Sequence, residues 1–256
     1  MRRDWTREEL ILAFNLYCKL PYGQFNNRNK EVIELGNLIG RTAGAVAFKL
    51  VNFVSLDPIH KEQGRKGATN VGKLDKEIFQ EFSQNWDELL YESEQILASK
   101  KETEIEVIYS DILYDLKDKK GETKIREVKV RVNQYIFRRM VLSNYVSRCA
   151  ITNINVPDLL IASHIKPWSV DEKQRLNPAN GICLSATYDK AFDEGFISIN
   201  ENLEIIISSK LKRFSNQSFY QEYFSSKENQ KILLPQKFMP DIEFIRYHNN
   251  EVFDRK

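Results

Sequence analysis

Residues 149–199 read CAITNINVPDLLIASHIKPWSVDEKQRLNPANGICLSATYDKAFDEGFISI, and their punctuation decides the fold class. Leu159–Ser163 is a β-like apolar run that ends at Ser163-His164. A polar loop follows, then the turn-forming Asn177-Pro178-Ala179-Asn180-Gly181, then a short apolar strand at Ile182–Leu184. Next comes a helical stretch bearing Tyr188, Asp189 and Asp193. Strand, loop, strand and helix in this order would bring His164 and the start of that helix face to face. Downstream, FISI, Asn200-Glu201-Asn202 and LEIII predict a β-hairpin within Phe196–Ser208. Upstream, Val128–Tyr145 has helical spacing, with Val132, Tyr135, Ile136, Met140, Val141 and Tyr145 inward and Arg131, Arg138 and Arg139 outward. The fold class is therefore α+β.

The amino-terminal part is helical. Asp4 or Thr6 can cap a helix over Arg7–Lys19, and Lys30–Ile39 repeats Val32, Ile33, Leu35 and Leu38 at helical spacing up to Gly40. Thr42 can cap a third helix over Ala43–Phe53. Three short helices with a tight Ile39-Gly40-Arg41-Thr42 junction have the layout of a helix-turn-helix, in which Arg41, Lys49 and Asn52 would face a DNA groove. A small helical bundle without DNA contact has the same pattern. Ser55–Lys73 lacks periodicity and reads as a loop with Lys61, Arg65, Lys66 and Lys73, and Leu74–Leu97 as one long acidic amphipathic helix packing between modules. Glu102–Gly121 is polar, with Lys117–Gly121 as the candidate hinge. The divisions drawn are 1–98, a linker at 99–127, and 128–256 with its core at 147–200.

Composition excludes several classes. The 256 residues hold 3 Cys and 3 His, too few and too scattered for a disulfide framework, a four-thiolate zinc site or a histidine-rich metal cluster. No apolar run approaches the ~20 residues of a membrane span, and MRRDWTREEL turns acidic where a signal peptide is apolar. A reducing cytoplasm is the expected compartment. The net charge is only +2, yet residues 75–115 are dominated by acids and 117–139 by Lys and Arg, an asymmetry that fits a nucleic-acid partner as well as a solvated face.

The segments SHIKPW (Ser163–Trp168), NPANGICL (Asn177–Leu184) and DKAFDEG (Asp189–Gly195) together resemble the HNH endonuclease family, and within it the branch of predicted restriction endonucleases. RVNQYIFRRMVL (Arg131–Leu142), DWTREELILAFNLY and LIGRTAGAVAFKL extend the resemblance over most of the chain. It implies an N-terminal helical, helix-turn-helix-like DNA-binding module followed by a C-terminal ββα-metal nuclease domain. It further implies that His164 is the general base, that Asn180 holds the loop closed and orients His164, and that Asp189, nine residues beyond Asn180, binds a divalent metal. Phosphodiester hydrolysis needs a base near neutrality and a hard cation, which histidine and a carboxylate-bound Mg²⁺ supply, with Mn²⁺ as substitute. The chain departs from the family at two places: Ser163 stands where many members have a metal-binding Asp or His, and Tyr188 where close relatives carry His. Ser163 would then act on the metal through water, or Asp193 or substrate oxygens would complete the shell.

Lys166, Arg175 and Lys190 are candidate phosphate contacts, with Arg131, Arg138 and Arg139 along a DNA channel. The implied partner is double-stranded DNA. A homodimer would supply a second site for the second strand, and a companion methyltransferase encoded nearby would protect the host's own DNA. A catalytically impaired, DNA-binding regulator on the same fold is the alternative that Ser163 and Tyr188 favour.

Overall fold

The computed structural model describes residues 3–62, 67, 71–116 and 121–255, and the chain divides into two compact units, Met1–Ser143 and Asn144–Lys256. Lys117–Lys120 of the expected hinge, and Arg65 and Lys66 of the expected basic loop, lie outside the described residues. Among those described, no helix is long and apolar enough to cross a membrane.

The first unit is all helical: α1 (Arg7–Lys19), α2 (Lys30–Ile39), α3 (Ala43–Val54), α4 (Pro58–Glu62), α5 (Lys73–Gln84), α6 (Trp86–Lys100), α7 (Ile105–Ile108), α8 (Ser110–Leu113) and α9 (Gly121–Asn144), whose last residue alone falls in the second unit. The first unit therefore ends with the arginine-bearing helix. Thr6 closes a capping box with Glu9 at the start of α1, satisfying backbone donors at both positions. Every residue from Glu9 to Cys18 is buried, so α1 is the central helix of the unit. Phe14 is the hub of its aromatic core, with Phe82 at 4.6 Å, Phe53 at 5.0 Å and Phe79 at 5.4 Å between ring centroids.

Asn29 and Thr42 cap α2 and α3 through their side chains. Gly40 ends α2 in the left-handed conformation (φ 65°) that a side chain would disfavour. A Cβ on Gly36 would come within 2.9 Å of the Arg41 carbonyl, so this glycine lets the turn into α3 close tightly. The acidic stretch is two helices rather than one, because Asn85 leaves helical geometry (φ −148°, ψ 66°) between α5 and α6. Within its own unit α6 has a packing partner. It packs on α1 through a buried polar cluster in which the Glu94 carboxylate accepts from Asn15 Nδ2 (2.6 Å), Tyr109 Oη (2.6 Å) and Lys19 Nζ. Those contacts outweigh the cost of burying Glu94 and hold its pKa below the usual carboxylate range.

In the second unit, β1 (Leu160–His164) pairs antiparallel with β2 (Gly181–Ser185), placing Ser163 opposite Ile182 and His164 opposite Gly181. Every residue of β2 is buried, and α10 (Ala186–Asp193) follows it directly. The expected hairpin is present as β3 (Ile197–Ile199) against β4 (Ile205–Ile207). Then come α11 (Ser209–Lys212), α12 (Ser218–Tyr223) and α13 (Ile242–Glu251). Gly195, at φ 68°, turns the chain out of α10 so close to Val252 that a Cβ would lie 2.2 Å from its carbonyl oxygen. His248 on α13 stacks on Phe192 at 3.8 Å, meets Ser198 Oγ through Nδ1 at 2.7 Å and donates from Nε2 to the Phe192 carbonyl at 3.1 Å. This histidine, which has no sequence neighbour to mark it, anchors α10 from behind, and burial lowers its pKa to about 4.

Candidate active site

Asn180 pins the loop between β1 and β2 at its exit from β1. Asn180 Oδ1 accepts from the Lys166 amide at 2.7 Å and its Nδ2 donates to the Lys166 carbonyl at 3.1 Å. A planar amide is the one neutral group that offers a donor and an acceptor in this arrangement. Asn180 is 1% exposed, so both bonds are made out of water. The clamp acts two residues beyond His164 and fixes where the loop leaves β1.

His164 itself faces a carbonyl. Its Nε2 lies 2.9 Å from the Arg175 backbone oxygen, which can only accept, so Nε2 carries the proton and Nδ1 the lone pair. Trp168 meets the imidazole edge-on at 5.3 Å, and the Arg175 guanidinium lies over the Trp168 ring at 4.7 Å. Burial lowers the His164 pKa, partly opposed by the Arg175 carbonyl, so the ring is neutral at pH 7. The sequence offered no sign of the Arg175 carbonyl, since a backbone atom leaves no residue signature.

Ser163, the residue before His164, is 2% exposed, and its Oγ has no hydrogen bond of standard geometry. It nevertheless lies near enough to the Asp189 carboxyl in the first turn of α10 to lower that group's pKa. Burial is the larger influence and raises the Asp189 pKa overall. The fold therefore brings Ser163 and Asp189 together, a partly buried carboxyl beside a buried hydroxyl. These are hard oxygen donors suited to Mg²⁺, which commonly takes one or two carboxylates and completes its shell with water and substrate phosphate. Among the described residues no group of three or more His, Cys, Asp or Glu gathers in metal-binding geometry, so the protein would contribute a small part of such a shell.

Tyr188 does not line a metal position. It is 4% exposed, donates to the Tyr223 carbonyl and packs against Phe224 at 5.6 Å, with burial raising its pKa to about 12. Cys149 is structural, its Sγ accepting from the Thr152 and Ser185 amides at 3.4 and 3.2 Å. Of the candidate phosphate contacts, Lys166 pairs with Asp171 at 2.8 Å, and the exposed Lys190 pairs with Glu194 at 2.8 Å.

The basic residues assigned to the first unit are placed otherwise than expected. Arg41 donates to the Asp4 carbonyl (2.5 Å), the Arg3 carbonyl (2.8 Å) and Glu9 (2.7 Å), with its guanidinium 4.4 Å from the Trp5 ring centroid. Lys49 is buried against both oxygens of Asp75 at 2.8 and 2.9 Å, and Asn52 donates to the same carboxylate at 3.1 Å. All three tie the helices together, each bonded to a buried carboxylate within its own unit. Arg131 pairs with Asp115 through both terminal nitrogens, and Arg139 with Glu31 at 2.9 and 3.1 Å. Arg138 is half-buried.

With this geometry described, comparison with known proteins adds one finding. Residues 149–200, the segment from Cys149 through β3, match the family model for HNH endonuclease. No curated protein matches the chain.

Proposed function

We propose, from the HNH endonuclease domain at residues 149–200, that the chain is a metal-dependent DNA endonuclease acting in restriction of foreign DNA, with His164 as its general base. The observation that supports this most is the hydrogen bond from His164 Nε2 to the Arg175 carbonyl. It assigns the lone pair to Nδ1 in a neutral, half-buried imidazole, the state a base needs to take a proton from water near neutral pH. Asn180 holds the loop that carries the Arg175 carbonyl to this ring. Asp189 and Ser163 would hold a divalent cation, Mg²⁺ or Mn²⁺. When bound, that ion would supply charge stabilisation at the phosphate and the leaving oxygen. Lys166 and Lys190 would exchange their carboxylate partners for DNA phosphates, and Arg175, its guanidinium over the Trp168 ring, would keep its charge beside the same strand.

Incubating the purified full chain with plasmid and Mg²⁺ or Mn²⁺ tests this. Nicking that falls by about 10²–10⁴-fold in His164→Ala is the expected result. Undiminished cutting by that variant refutes the assigned base. DNA retention without cleavage under any divalent ion would support the second reading, a DNA-binding regulator on an impaired nuclease fold, which Tyr188's structural engagement favours. Cutting modified and unmodified substrates in parallel separates a restriction enzyme guarded by a methyltransferase from one that attacks modified DNA. Sedimentation with and without DNA tests the homodimer.

A further inference from the structure

The metal helix α10 continues, through one side chain, into a surface outside the matched domain. Tyr188, next to Asp189, donates to the carbonyl of Tyr223, the last residue of α12. On α12, Tyr220 and the following Phe224 turn inward and are buried, while Phe219 and Tyr223, four residues apart and so on one helical face, are 36% and 46% exposed. Phe214, 42% exposed, lies 6.0 Å from Phe219. Residues 212–219 are all exposed, and the loop is braced by Gln221 Nε2 donating to the Ser215 carbonyl at 2.8 Å. Three aromatic rings thus stand in water along a single row that begins at the α10 contact. Isolated exposed apolar residues are commonplace, but an aligned row of rings flanked by cations is the composition of a base-stacking surface.

The charge beside the row has the sign DNA requires. Arg213 is exposed, and its guanidinium has no ion-pair partner among the described residues. Lys210, half-buried in the same segment, lies near enough to the Asp254 carboxyl to lower its pKa, so Arg213 is the cation with no carboxylate to give up. This contrasts with Arg41, Arg131 and Arg139, whose charges are already met by Glu9, Asp115 and Glu31.

We infer that Phe214, Phe219 and Tyr223, with Arg213 and Lys210, form a DNA-strand platform continuous with the candidate nuclease site. Bases of the strand beyond the scissile phosphate stack on the rings, and its phosphates face Arg213 and Lys210. The inference rests on the nuclease reading for its direction from the cut site. Its test does not need cleavage.

The test measures binding of labelled single-stranded and duplex oligonucleotides of one sequence to the full chain, by anisotropy in EDTA over a range of salt. Phe214→Ala and Phe219→Ala are expected to weaken single-strand binding by about 5- to 100-fold each, leaving the salt dependence unchanged. Arg213→Ala is expected to reduce the slope of log affinity against log salt by about 0.7 on single strands. All three positions are exposed, and circular dichroism verifies that the variants fold. Wild-type affinity and slope in all variants overturn the platform, whether or not the enzyme cuts plasmid. Ring variants that lose DNA while the wild type fails to cut would sustain the platform and refute the nuclease reading. Ring variants that lose self-association in sedimentation but keep DNA affinity assign the row to a second copy of the chain and overturn the proposal.

Discussion

Replacing Lys49 by methionine separates a structural role from DNA contact. The Asp75 carboxylate, 2% exposed, receives Lys49 Nζ at 2.8 and 2.9 Å, Asn52 Nδ2 at 3.1 Å and the Gly72 amide at 3.2 Å. Removing one partner of a buried ion pair costs about 3–5 kcal/mol, because the remaining charge stays in a poorly solvating environment. Here the Asn52 and Gly72 donors remain, which places the loss near the lower end, about 3 kcal/mol. With a urea m-value of about 1–3 kcal/mol/M, the unfolding midpoint of the first unit should fall by about 1–3 M. The double variant Lys49→Met/Asp75→Asn keeps an acceptor for Asn52 and Gly72 without the orphaned charge, and should lose less than the single variant. The assay is urea unfolding followed by the fluorescence of Trp5 and Trp86, paired with DNA-binding anisotropy at several salt concentrations. Stability should fall while affinity and its salt slope hold in the folded range. An unchanged midpoint with a salt slope lower by about 0.9 would refute this reasoning and return Lys49 to a phosphate.

Three further outcomes follow from the second unit. Asn180→Asp keeps the acceptor for the Lys166 amide but loses the donor to its carbonyl, and should cost about 1–3 kcal/mol of stability in thermal unfolding. Plasmid nicking by the folded Asn180→Asp protein should fall with it. Asp189→Asn should abolish metal-dependent nicking yet raise the thermal midpoint of the metal-free protein, since burial already lifts the Asp189 pKa and its carboxylate opposes folding at pH 7; a lowered midpoint contradicts this. His248 has a folded pKa of about 4 against about 6.5 unfolded, so the unfolded chain binds the extra proton between these values. Stability should therefore be full above about pH 6.5 and fall as pH drops toward 4, by on the order of 3 kcal/mol from this residue. His248→Gln should flatten that part of the curve, and denaturant titrations of both proteins at pH 7 and 4.5 decide it.

The second unit was legible because its signals are local. The β1–turn–β2–α10 order, the Asn180 turn and the β3–β4 hairpin each rest on residues within a few positions of one another, where alternation and turn chemistry act directly. The first unit's helices were equally readable, down to the Thr6 and Thr42 caps, whereas the Asn29 cap of α2 emerged only from the structure. What could not be read was pairing across distance. Lys49 looks like a surface cation until Asp75 arrives from another helix, and Arg41 until Glu9 does. The break at Asn85 was hidden because the apolar period runs on through it, and a single non-helical φ leaves no trace in that period. At the site, His164 and Asp189 carry their own residue signals, whereas the Arg175 carbonyl that assigns the imidazole's proton belongs to the backbone.

The same physics sorts the chain's cations into two groups with different consequences. A cation that finds a carboxylate within its own unit, as Lys49, Arg41 and Arg139 do, has given up hydration in exchange for that partner. Offering it to DNA would first require breaking the pair, so its contribution to binding is the difference between two similar interactions and is small. Lys190, its side chain mostly in water, lies in an exchangeable pair with Glu194, where that difference is least costly and phosphate can compete. Arg213, with no such partner among the described residues, loses only hydration and counterions on meeting a phosphate, and the released counterions favour the encounter. The positive stretch at 117–139 that first drew attention to nucleic acid is accordingly a weaker guide than the short Lys210–Tyr223 segment. There, the unpaired Arg213 and the exposed rings lie along a segment whose Tyr223 carbonyl accepts from Tyr188, the neighbour of Asp189.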